Sequence, residues 1–129
     1  MDPSRQRARG RINVTSCDSK PYDDAGDFAF SEVHITEEFS GDLVGVGSVR
    51  FLMVTEPEGT AHFTGMERFT GEIGDRAGSF ILRNSGILKD GELNSTWQVI
   101  PGSGTEELAG LCGEGRCDPA GYTFDYWFE

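Results

Sequence analysis

Two glutamates, Glu37 and Glu67, are the residues of this 129-residue chain whose type and setting best suit them to chemistry. Each interrupts an alternating apolar run: Val33, Ile35, Glu37 and Phe39 in one, Phe63, Glu67 and Phe69 in the other. Carried on the apolar face of a strand, a carboxyl has its ionised form disfavoured, so its pKa is expected to rise. Glu67, deeper in its strand and flanked by aromatics, would then serve as a catalytic general acid or base near neutral pH without a cofactor. Glu37, Phe63, Asn84, Trp97 and Tyr126 are the expected substrate-binding set. In it Asn84 and Tyr126 hydrogen-bond an oxygen of the bound molecule, and Trp97 and Phe63 shape the pocket. A structural role is the alternative for both glutamates: Glu37 as a hydrogen-bonded polar near a barrel end, Glu67 as an ionised partner of an inward-turned arginine such as Arg68.

Other chemistries find little support. The two histidines, His34 and His62, have no partner at ligand spacing, so no metal site is expected. Cys17, Cys112 and Cys117 are odd in number and irregular in spacing, which is not a disulfide framework, and all three read as reduced thiols. Against 22 acidic residues stand 11 basic ones, giving a net charge of −11 that repels phosphate backbones and argues against nucleic-acid binding. Neither an apolar run of roughly 7–15 residues after the N-terminal arginines nor a span of about 20 occurs, so no secretion signal or membrane segment is expected. The expected location is the cytoplasm.

The elements that must hold these side chains are strands. Reversals suit Ser40-Gly41-Asp42, Pro57-Glu58-Gly59, Gly74-Asp75, Asp90-Gly91 and Pro119-Ala120-Gly121, and stretches rich in Val, Ile, Phe, Thr, Tyr and Trp lie between them. Strands are predicted near residues 10–17, 31–40, 43–55, 60–72, 77–88, 92–100, 110–117 and 121–128. Ser103-Gly104-Thr105-Glu106 matches a capping box, which predicts one short helix near 103–109 ended by Gly110. Residues 17–30, with Pro21, Asp23, Asp24, Gly26 and Asp27, read as a loop able to lie over an open barrel end. Residues 1–9 read as a flexible basic tail, leaving 10–129 as one domain. Short turns between consecutive strands make an up-and-down meander, and closing it removes the exposed edges. The predicted fold is all-β: an antiparallel eight-stranded closed barrel.

Turn lengths set a register that can be tested. A two-residue turn at Asp90-Gly91 places Leu88 opposite Leu93, Gly86 opposite Ser95, Asn84 opposite Trp97 and Leu82 opposite Val99. A second at Gly74-Asp75 places Glu67 opposite Leu82 and Gly65 opposite Asn84. Both turns predict the same inward face, because a slip of one residue would turn every side chain to the other side. That face also takes Gly45, Gly47, Val49, Phe51, Met53, Tyr122, Phe124 and Phe128, and leaves Arg50, Arg68 and Arg83 facing solvent. Gly45 and Gly47, on the strand between Glu37 and Glu67, are expected to leave open space between the two carboxyls.

Phe63-Thr64-Gly65-Met66-Glu67-Arg68-Phe69-Thr70-Gly71, Gly78-Ser79-Phe80-Ile81-Leu82 and the glycine-rich segment from Pro101 to Gly115 resemble the bacterial DUF3224 family. Gly10-Arg11-Ile12-Asn13-Val14, Lys20-Pro21-Tyr22 and Gly121-Tyr122-Thr123-Phe124-Asp125-Tyr126 extend the resemblance over nearly the whole chain. It implies a barrel of the allene oxide cyclase type, similar also to dirigent proteins, and a homo-oligomer. Barrels of that type bind a reactive apolar substrate and steer its ring closure without cofactor or metal. The functional expectation is therefore a cofactor-independent cyclase or isomerase acting on a hydrophobic small molecule in the barrel, in specialised metabolism. The alternative is a non-catalytic barrel that binds or carries such a ligand.

Overall fold

The computed structural model of the chain describes residues 4–129. Eight strands follow one another: β1 (Gln6–Ala25), β2 (Phe28–Gly41), β3 (Leu43–Thr55), β4 (Ala61–Ile73), β5 (Arg76–Lys89), β6 (Glu92–Val99), β7 (Leu111–Asp118) and β8 (Gly121–Phe128). Each pairs antiparallel with the next, and β8 pairs back onto β1 through Gln6–Gly10, so the sheet closes as a ring. Every register read from the two hairpin turns is present: Leu88 faces Leu93, Asn84 faces Trp97, Glu67 faces Leu82 and Gly65 faces Asn84. Asp90-Gly91 makes its turn with both residues at positive φ, 51° and 78°, the geometry whose twist matches that of the flanking strands.

The ring is strongly staggered. Following cross-strand partners from Pro21 through Ser31, Met53, Phe63, Gly86, Ser95, Cys117 and Tyr122 returns to β1 at Gly10, eleven positions earlier. A stagger of that kind tilts the strands against the barrel axis. It also leaves Arg11–Ala25 of β1 paired with β2 alone, with a free outer edge.

Three expectations change here. The segment 17–30 is not a loop but the distal part of the β1–β2 hairpin, turning at Gly26-Asp27 with Gly26 at φ 62°. Its proline is accommodated because Pro21 lies on the free-edged strand beside a bulge, where a missing N–H breaks little of the ladder. Residues 6–9, expected in the tail, form the start of β1, where Arg7 holds Asp125 through two bonds of 2.7 and 3.0 Å; residues 1–3 of that tail lie outside the described residues. The helix near 103–109 reduces to a 3₁₀ turn at Glu106–Leu108. The side chain read as its N-cap is engaged elsewhere, Ser103 Oγ accepting from Ile81 N at 3.0 Å, and Thr105 Oγ1 likewise accepts from Ser79 N at 3.0 Å. Residues 100–105 thus run along the β5 edge beyond the reach of β6, with Ile100 N and Thr105 N donating to Ile81 O and Ser79 O.

The interior divides into two apolar groups. The larger holds Phe39, Leu43, Phe69, Phe80, Leu82, Trp97, Tyr122 and Phe124, and the smaller Val33, Val49, Phe51 and Phe63. Between them runs a polar layer, since Glu37 lies between Phe39 and Ile35 on β2 and Glu67 between Phe69 and Phe63 on β4. The larger group is anchored by Tyr122, whose hydroxyl donates to Ser40 O at 2.7 Å and accepts from Leu43 N at 2.9 Å. Replacing Tyr122 by Phe leaves the buried Leu43 N–H without an acceptor. An expected loss of about 1–3 kcal/mol follows, read as a lowered urea midpoint at unchanged slope.

Candidate functional site

The barrel holds a cavity of about 320 Å³ on the side of the polar layer occupied by the smaller apolar group. Its walls are Ile35, Phe51, Met53 and Phe63, with Leu88 and Leu93 from the β5–β6 hairpin. Glu37, Asn84, Ser95, Trp97 and Cys117 add polar atoms to this lining. Its flank lies where β1 has lost β8: Arg11, Ile12 and Val14 on the free edge stand across from Asp118, Pro119 and Gly121 of the β7–β8 turn.

Gly47 explains how two carboxyls come together. It is the cross-strand partner of Glu37, and a Cβ built on it would overlap Glu67 Oε2 and come within 2.9 Å of Phe39. The glycine does not leave a void, as its place in the pattern suggested. Its missing side chain is the space the Glu67 carboxyl fills. Gly45 is closed off differently: a Cβ there would overlap Thr70 O and come within 2.8 Å of Gly71 Cα, with the Phe69 ring next at 2.9 Å.

Glu67 is wholly buried and outside the cavity lining, while Glu37, 8% exposed, lies on it. Burial, and then the Glu37 carboxyl beside it, holds Glu67 well above the usual carboxylate range, which favours its protonated form. Glu67 Oε1 accepts from Asn84 Nδ2 at 3.0 Å, and Oε2 is buried without a hydrogen-bond partner. A proton held by Glu67 therefore has its free site at Oε2, the oxygen that fills the space beside Gly47, the cross-strand partner of Glu37. Arg68 stays exposed on the outer face and does not neutralise Glu67.

Of the six residues read from the sequence, Glu37, Phe63, Asn84 and Trp97 line one cavity, and Glu67 supports it from behind. Tyr126 is not brought there. On β8 it lies beside β1 at Gln6, donating to Gln6 Oε1 at 3.2 Å and stacking on Phe124 at 5.6 Å, because the stagger carries β8 away from the cavity flank. Cys117 is a lining residue that the sequence reading left without a role. It faces Ser95 across β6–β7, a register hidden by the long connection between those strands. Burial, then the Glu37 charge, pushes its thiol up to about 11, so it is neutral and not a nucleophile. All three cysteines are free thiols. Among the described residues no group of three His, Cys, Asp or Glu is placed to hold a metal ion, and no helix is long and apolar enough to cross a membrane.

Comparison with solved structures finds a protein with unknown function from the DUF3224 family of Shewanella oneidensis MR-1. It is 24% identical, with 98% of each chain covered and a TM-score of 0.78, a likeness that establishes the shared fold. No curated protein matches the chain. The family model described as "Protein of unknown function (DUF3224)" matches residues 8–129, all but the first few positions, and the chain belongs to the DUF3224 family.

Proposed function

We propose that this barrel binds a hydrophobic small molecule in its cavity and isomerises or cyclises it without a cofactor, Glu37 being the group that meets the substrate. The observation that carries this reading is geometric: the Glu37 carboxyl lines a largely apolar cavity, with the wholly buried Glu67 set behind it. A volume of about 320 Å³ is within the range of small-ligand sites. Glu37 removes a proton from one carbon of the substrate and returns it to another, or to the oxygen released as a ring closes, so atoms balance and no oxidant is needed. In this reading Glu67 donates to Glu37 throughout and acts as a positioning residue, where its sequence setting suggested the catalytic role itself. The walls hold the substrate in a reactive conformation, which supplies much of the rate by orientation. The allene oxide cyclase type of barrel that the DUF3224 resemblance implies supports this only by analogy of fold. Free thiols and an acidic surface support a reducing, cytoplasmic setting.

The test is native mass spectrometry after incubation with a small-molecule extract of the source organism. An apolar species retained by the protein and released as an isomer is expected, with the Glu37→Gln variant binding the same species and releasing it unchanged. Recovery of the species unchanged from the unsubstituted protein makes the barrel a carrier. Retention of nothing by either protein overturns both forms of the reading.

A further inference from the structure

Resting on the reading of the cavity as a small-molecule site, we propose that its ligand is a small apolar amine, bound as the ammonium ion with its N–H groups on Glu37 and Asn84. Glu37 and Asn84 offer this cavity acceptors, while the Ser95 hydroxyl and the Trp97 indole are its donors away from the flank. Glu37 lines it and takes part in none of the ion pairs among the described residues. Asn84, 6% exposed, also lines it, and its Oδ1 is buried without a partner. The amide orientation follows from Nδ2 donating to Glu67. Against these acceptors stands one donor buried without a partner, the Trp97 indole N–H.

An alcohol satisfies one acceptor, and a carboxylate is repelled by Glu37. An ammonium group supplies three donors and the missing positive charge at once. A buried charge without a counter-ion is costly, so the ligand that brings one is favoured beyond its apolar contacts. Phe51, Phe63 and Trp97 line the same space, and aromatic rings attract cations over their faces. The only cationic side chain on the lining is Arg11, exposed at the flank beside Asp118 and solvated there. The net charge of −11 further raises the local concentration of cations.

The experiment compares 2-phenylethylamine, 2-phenylethanol and 3-phenylpropionate, which share a ring and differ in head group. Each is titrated at neutral pH and physiological salt into the full chain, following the Trp97 indole and Asn84 side-chain amide resonances by NMR. The amine is expected to bind about tenfold or more tightly than the alcohol, the scale of a charge-assisted hydrogen bond, and the carboxylate most weakly. In Glu37→Gln the amine is expected to lose its advantage over the alcohol measured on the same variant. The comparison on the unsubstituted protein decides the matter even where that variant does not fold. An alcohol that shifts the same resonances with equal or higher affinity overturns the amine proposal and leaves the apolar-ligand reading intact. An amine that shifts only surface resonances overturns it as well. Failure of all three ligands to move Trp97 and Asn84 overturns both.

Discussion

Glu67→Gln is expected to leave the barrel folded and to remove most of the fall in its stability as pH rises above the usual carboxylate range. The sign follows from which state holds the proton. Glu67 is protonated in the folded barrel well above the usual carboxylate range and titrates normally once unfolded. Below about pH 4.5 both states hold the proton and the full stabilisation is present. As pH rises past that point the unfolded chain releases its proton first, so stability declines until the folded-state pKa is passed. Each unit of separation is worth about 1.4 kcal/mol. Glutamine matches the neutral acid, with an oxygen for Asn84 Nδ2 and N–H groups for Glu37, and has no proton to lose. Glu67→Leu keeps the volume approximately but strands Asn84 Nδ2 and the Glu37 carboxylate, and is expected to cost about 1–3 kcal/mol at neutral pH. Urea unfolding at a series of pH values separates these outcomes. A slope in Glu67→Gln equal to that of the unsubstituted protein would show that the proton does not reside there.

The same pair shows how far residue pattern leads and where it stops. Strict alternation on β2 and β4 was enough to place Glu37 and Glu67 on the inner face, and two-residue turns were enough to align Asn84 with Trp97. Those inferences are local, because a strand has a side-chain period of two and a tight hairpin fixes its register. What the empty positions at Gly45 and Gly47 hold depends on atoms from other strands, and those proved to be the β4 backbone and the Glu67 carboxyl. Tyr126 shares its face correctly yet lies away from the cavity, because depth along the axis is set by the stagger accumulated around the whole ring. Residues 103–109 show a related limit. A capping box states what side chains can bond, and here the exposed β5 edge competes for the Ser103 hydroxyl. The polar spacing of residues 17–30 resembles a loop because a strand with one free edge and two exposed faces needs neither apolar alternation nor freedom from proline.

Gly71→Ala is expected to be among the most damaging single substitutions in the chain, with a loss of about 3 kcal/mol or more. Gly71 stands in a row of three glycines, opposite Gly45 on β3 and Gly78 on β5. A Cβ at Gly71 would overlap the Val44 carbonyl oxygen and come within 2.6 Å of Gly45 Cα, both of them backbone atoms. No rotamer change relieves such a contact, so β3 and β4 must part. Gly45 shows why the strands lie so close at this row: the Phe69 ring, fully buried, packs over it. The glycines let the sheet bend tightly around the larger apolar group, as kinks do where a barrel turns a corner. Gly74 supplies the contrast. It turns between β4 and β5 at φ 60° with open space around its Cα, so only backbone preference is at stake. Gly74→Asn is expected to cost less than about 1 kcal/mol, because asparagine tolerates the left-handed region. Urea midpoints for the two variants measure the difference, and amide exchange locates it. Early exchange confined to the β3–β4 ladder in Gly71→Ala is the expected pattern. Equal midpoints for the two variants would mean that the glycine row does not bend the sheet and that its close approach can relax without cost.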